Sequence, residues 1–163
     1  MSDSTTTPDA HTAPAGTPKP APPGIDPRGP RFGAGVTATL LAITLLLGTS
    51  PAATALLSIV ALLFVLGVTR GVQGTLQGLA FKTWVRPPLA PPTELEDPRP
   101  PRFAQLVGLL VVGAGLLFAA LGFTAAVPIA AAVALVAAFL NAAFGLCLGC
   151  ELYLLGRRLT PLH

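Results

Sequence analysis

The sequence predicts an all-α protein, a four-helix transmembrane fold built as a tandem parallel repeat of two helical hairpins. Three observations predict it. Over half of the residues are apolar and only 10% are charged, where a soluble domain carries about 25%. Two long stretches, Gly33 to Thr69 and Phe103 to Cys150, hold no charged side chain. A seven-residue motif occurs twice, each time just ahead of one of these stretches. A charge at the centre of a membrane helix costs about 2.5–3.5 kcal/mol, so charge-free runs of this length are what a lipid-spanning chain requires.

Residues 1–25 are rich in Thr, Ala, Pro and Gly. They hold too little apolar surface to offset the entropy of ordering and read as a disordered cytoplasmic tail. The four-helix domain follows over 26–158, with 159–163 as a C-terminal end. A membrane span needs about 20 helical residues, so each charge-free stretch suits two helices. The first stretch breaks at Gly48-Thr49-Ser50-Pro51. Glycine tolerates the conformation that ends a helix, and proline fits the first turn of the next. The expected spans are Arg31–Thr49 and Pro51–Arg70, then Phe103–Gly122 and Ala126–Leu148, the last extending as far as Leu155.

Between the hairpins, Gln73 to Trp84 mixes apolar residues with two glutamines and a lysine. That mixture suits a surface helix with Trp84 among the lipid headgroups. The proline-dense segment over 87–96 reads as an extended linker.

The repeat is visible directly. Asp26-Pro-Arg-Gly-Pro-Arg-Phe32 matches Asp97-Pro-Arg-Pro-Pro-Arg-Phe103 at an offset of 71 residues. Without a gap the same offset aligns Leu46 with Leu117, Gly74 with Gly145 and Arg86 with Arg157. The repeats are thus 26–86 and 97–158. Each contains an even number of helices, so both enter the membrane from one side, related by an axis along the membrane normal. The motif itself reads as an anchor, with Arg at the headgroup phosphates and Phe in lipid. The sharper alternative is a pair of Asp–Arg contacts between the two copies.

Orientation follows from charge. All ten basic residues lie in the tail, the middle loop or the C-terminal end, and neither hairpin tip carries one. The positive-inside rule then places both termini in the cytoplasm of a multi-pass inner (plasma) membrane protein. A net charge of +3 without interleaved aromatic residues excludes a nucleic-acid partner. Ala53-Thr-Ala55 faintly resembles a signal-peptide cleavage site, but cutting there would destroy the first repeat.

The strongest chemical candidate is Cys147-Leu-Gly-Cys150, the two cysteines of the chain. On a continuous helix this spacing puts both thiols on one face. C-x-x-C serves redox chemistry in some folds and supplies half of a zinc site in others. No βαβ pattern surrounds it, and a tetrahedral zinc site would need a further chain. The pair is expected at the cytoplasmic boundary or up to two turns beyond it. There, thiols are kept mostly reduced and a permanent disulfide is not expected. The alternative is that both cysteines are small packing residues. Glu151 follows as a proton acceptor or a solvated helix-end charge. Asn141 and Gln105 read as amides bridging helices. Gly108, Gly113 and Gly115, with the alanines of the fourth helix, read as close-packing surfaces. His11 and His163 have no ligand spacing. No cofactor motif is present, and no charge at the bilayer centre suggests an ion-coupled pump.

The doubled motif and the ending Asn141-Ala-Ala-Phe-Gly-Leu-Cys-Leu-Gly-Cys-Glu-Leu-Tyr153 resemble an uncharacterised bacterial integral membrane family, domain of unknown function 4395, common in actinobacteria. The resemblance covers about residues 25–158. Members are often found near thioredoxin-like or rhodanese-like soluble proteins, which implies a thiol or sulfur role and such a protein as partner, besides the lipid bilayer. Three functions are therefore expected to compete. The first is a cytoplasm-facing thiol or sulfur-handling redox partner using Cys147 and Cys150. The second is a non-catalytic scaffold of a membrane complex. The third is a small permease for a sulfur species or soft metal, for which four helices would have to form a homo-oligomer.

Overall fold

The computed structural model describes residues 24–159. The expected tail falls outside the described residues as far as residue 23, as do His11 and His163. Six helices follow: α1 (Arg28–Leu47), α2 (Pro51–Arg70), α3 (Leu76–Ala80), α4 (Arg99–Ala120), α5 (Ala126–Phe144) and α6 (Leu148–Leu159). Of these, α1, α2, α4 and α5 are long and apolar enough to cross a membrane. A 3₁₀ turn (Val72–Gly74) precedes α3 and a π turn (Phe81–Val85) extends it.

The two motif copies form helix starts of one design. The Asp26 carboxylate accepts the backbone N–H of Arg28 at 3.0 Å, and Asp97 that of Arg99 at 2.9 Å. Accordingly α1 and α4 begin at Arg28 and Arg99, ahead of the expected Arg31 and Phe103. Pro30, Pro100 and Pro101 lie within the first helical turn, where a backbone N–H would have no intrahelical partner. Both helices also end two residues early. α1 stops at Leu47 because Gly48 takes φ 62°. Ser50 then caps α2, its Oγ accepting the Ala53 N–H at 3.2 Å, and Pro51 opens the helix as expected.

The four long helices form a ring in which α1 packs on α2 and α5, and α4 packs on the same two. Their core is Leu41, Leu57, Val60, Val112 and Val127, with Ala53, Ala130, Ala131 and Ala134. Small residues let the helices approach closely, as between helices in lipid. A Cβ on Gly115 would collide with that of Ala130, and one on Gly108 would lie 2.7 Å from the Phe64 ring. Gly113 differs from expectation, since a Cβ there meets nothing within 4 Å. Outside the ring, Leu46, Leu62, Leu110 and Ile129 are more than 60% exposed. Exposing one such side chain to water forgoes about 1.5–3 kcal/mol, whereas lipid imposes no such loss.

The starts of α1 and α4 meet the ends of α5 and α2 at one end of the ring. Arg102 donates from its guanidinium to the carbonyls of Val68 and Thr69, and Arg31 lies over Gly145. At the same end Ile25 and Glu96 exchange two backbone hydrogen bonds, of 2.8 and 2.9 Å. Ile25, placed in the tail by the sequence reading, is only 4% exposed. The surface helix expected over Gln73–Trp84 is present as α3 with its π turn. It holds Phe81 against Phe32, ring centroids 5.9 Å apart, and leaves Trp84 77% exposed. Gln77 ties it to α1 by donating to the Thr37 hydroxyl at 3.2 Å.

Candidate thiol site

The fourth span does not run on to Leu148 or Leu155. Gly145 adopts φ 71°, ψ 11° and ends α5. This left-handed conformation is one that glycine takes without steric cost. The N–H of Leu146 turns back onto the Leu140 carbonyl at 3.2 Å, and a new helix, α6, begins at Leu148.

The cysteines are therefore not two residues of one helical face. Cys147 is the N-cap of α6. Its carbonyl accepts the first intrahelical bond, from the Glu151 N–H at 3.0 Å, and its Sγ accepts the Cys150 N–H at 3.3 Å. Cys150 sits in the first turn. The two are joined in a disulfide, Cα atoms 5.2 Å apart, where two free thiols were expected. Both are half-buried and lie beyond the last residue of the fourth span.

Gly149, between the cysteines, is the foot on which α6 stands. A Cβ there would lie 2.5 Å from the Ala104 Cα, so α6 rests directly on the α4 backbone. Four residues on, Tyr153 packs on Phe103 with ring centroids 5.7 Å apart. The pair is thus fixed against the opening turns of α4. Glu151 is exposed. Among the described residues no three His, Cys, Asp or Glu side chains converge as metal ligands.

Beside the pair opens a cleft of about 1030 Å³ between α1, α4, α5 and α6. At one end it is lined by Cys147, Cys150, Glu96 and Arg31; further along the helices come Gln105 and Asn141, then Val111 and Val133. Asn141 and Gln105 were expected to bridge helices. Gln105 does press on α2, where a Cβ on Gly67 would meet its Oε1 at 2.6 Å. Both amides also line the cleft, a placement that sequence spacing does not reveal. Asn141 and Val133 are eight residues apart on α5, so the cleft follows that helix for about 12 Å.

A family model covers this whole arrangement, matching residues 25–158. The chain belongs to that family, domain of unknown function (DUF4395). No match to the chain is found among curated proteins or among solved structures. The match takes in both motif copies, all six helices but for the last residue of α6, and the cysteine pair. For this DUF4395 chain the thiol site therefore belongs to the matched domain.

Proposed function

We propose that this chain is a multi-pass inner-membrane thiol–disulfide exchange protein acting through Cys147 and Cys150 at the cytoplasmic face. The observation that carries the reading is Cys147 as the cap of α6, with the Cys150 N–H directed at its sulfur. A helix N-terminus and a donated N–H favour a thiolate, which is the nucleophilic form of cysteine. The bridge is also a poor staple. Closing so short a loop constrains the unfolded chain by about 2 kcal/mol on the chain-entropy account, against about 3 for a 15-residue loop. A bridge that stabilises little is suited to being opened and closed.

In the exchange, a thiolate of a soluble dithiol protein, thioredoxin-like in chemistry, attacks the Cys147 sulfur. Cys150 leaves as thiolate and takes a proton. The partner's second thiolate then attacks its own sulfur in the mixed disulfide and releases Cys147. Two electrons and two protons pass to the pair, and the partner ends as a disulfide. The reverse sequence oxidises the pair.

The placement of the site rests on charge. All nine basic residues of the described chain lie at the end that holds α3, α6 and the Ile25–Glu96 pair. The positive-inside rule assigns that end to the cytoplasm. The parallel repeat is part of the same proposal. It is supported by Ile25 and Glu96, which stand 71 residues apart and pair with each other. It is also supported by the pairing of α1 with α5 and of α4 with α2, which an offset of 71 interchanges.

The test is a trap. In Cys150→Ser the Cys147 thiolate attacks the disulfide of an oxidised partner protein. With no Cys150 thiol to complete the exchange the mixed disulfide can only revert, so the partner should be caught on Cys147 by acid quenching and be released by reductant. Cys147→Ser should capture little. Equal capture by both variants, or by neither, overturns the reading.

A further inference from the structure

The cysteine pair lines one end of a cleft that runs from there along the apolar spanning helices α4 and α5. A soluble partner protein has no use for such a length of cleft, and a pair that exchanges electrons repeatedly needs a second redox partner. The cleft narrows the choice by its chemistry. Its walls away from the cysteines, Val111 on α4 and Val133 and Ala137 on α5, are apolar, and Val133 is exposed on the outer face of the helices, where lipid would lie. Gln105 and Asn141 line the cleft between those walls and the sulfurs, and an amide side chain can donate an N–H to a carbonyl oxygen. Arg31 at the cysteine end adds a cation where negative charge would develop. A ligand with an apolar tail, carbonyl acceptors and a two-electron couple fits all three levels.

We propose that the cleft binds a lipid-soluble quinone, which takes electrons from the reduced Cys147–Cys150 pair. This rests on the thiol reading above and deepens it. In the step, the sulfur–sulfur bond forms as the two thiols give up two electrons and two protons. The quinone's two carbonyl oxygens take up both, and the product is a quinol. The quinol leaves into the lipid and the disulfide is ready for the next soluble dithiol. Electrons thus run from a soluble thiol protein to the membrane quinone pool.

The experiment uses the full chain in lipid nanodiscs, with the pair reduced beforehand and excess reductant removed. The probe is decylubiquinone, whose ring is substituted at every carbon so that thiols do not readily add to it. Quinone loss is followed by absorbance and disulfide formation by thiol alkylation and mass. Wild type should consume one quinone per disulfide formed. Ala137→Phe and Val111→Phe fill the cleft from opposite walls. Each should slow quinone reduction at least tenfold while oxidation of the pair by a small water-soluble disulfide stays within twofold, which also reports an intact site. Normal exchange with the soluble disulfide but no quinone reduction, or quinone reduction unchanged in both filled variants, overturns the quinone site and leaves the thiol function standing. A pair that reacts with neither oxidant overturns the thiol function and the quinone site together.

Discussion

Ile25 and Glu96 form an antiparallel backbone pair, each donating its N–H to the other's carbonyl. They stand 71 residues apart, the same separation that relates the two Asp-Pro-Arg motifs just beyond them. A residue paired with its own counterpart lies on the axis that would relate two halves. The pair holds the entrances of α1 and α4 together at the end of the molecule where the cysteines lie.

This pairing makes a cross-linking prediction. Residues that exchange both backbone bonds have Cα atoms about 5.5 Å apart, within disulfide reach. With Cys147 and Cys150 changed to serine, Ile25→Cys with Glu96→Cys should bridge within one chain on mild oxidation. Ile25→Cys with Glu94→Cys, out of register, should not. Mobility on a non-reducing gel, with peptide mass to locate the bridge, distinguishes the two.

Helix packing yields a contrast between two glycines of α4. Gly115→Val pushes directly into Ala130, and overpacking of this kind costs about 1–3 kcal/mol. Gly113, with open space at its Cβ position, should accept alanine without loss. Thermal unfolding in mild detergent should show a lowered midpoint for the first variant only.

Gly149 ties the thiol site to the fold. Gly149→Val either lifts α6 off Ala104 or overpacks the contact at a similar cost of about 1–3 kcal/mol. The expected result is exchange through Cys147 at least tenfold slower, with the four spanning helices intact by circular dichroism. Unchanged exchange would show that the docking of α6 is not what positions the pair.

Sidedness has its own test. A single cysteine placed at Thr49 or at Thr124, one in each hairpin tip, should react with a membrane-impermeant thiol reagent added to intact spheroplasts. A single cysteine at Leu89, in the middle loop, should react only after lysis. The opposite pattern would place Cys147 and Cys150 outside the cytoplasm and remove the soluble cytoplasmic partner.

Much of the architecture was legible because lipid leaves few options. A chain without charges from Gly33 to Thr69 and again from Phe103 to Cys150 has to form helices there, and Gly48 with Pro51 marks the first turn plainly. α1 and α4 start ahead of the expected Arg31 and Phe103 because the motif prolines fit inside the first helical turn, where no backbone N–H is needed. The site was less legible. Its cysteines were visible as a pair, but the apolar run continues through Gly145, and only the left-handed conformation of that glycine separates α6 from α5. The available signal was Gly145 itself, which aligns with Gly74 ahead of the short helix α3. Gly149 as a packing foot, and the meeting of Gln105 and Asn141 in one cleft, depend on how α4, α5 and α6 come together. No local pattern encodes that.

The central claim is that Cys147 and Cys150 cycle between disulfide and dithiol in the living cell. Acid quenching, alkylation of free thiols, reduction and a second, heavier alkylation would read their state directly from the mass of one peptide. The account predicts a mixed population that shifts toward the dithiol when cells are given a reducing thiol and toward the disulfide under an oxidant. A pair locked in one state through both treatments would contradict it and leave the cysteines as packing residues at the foot of α6.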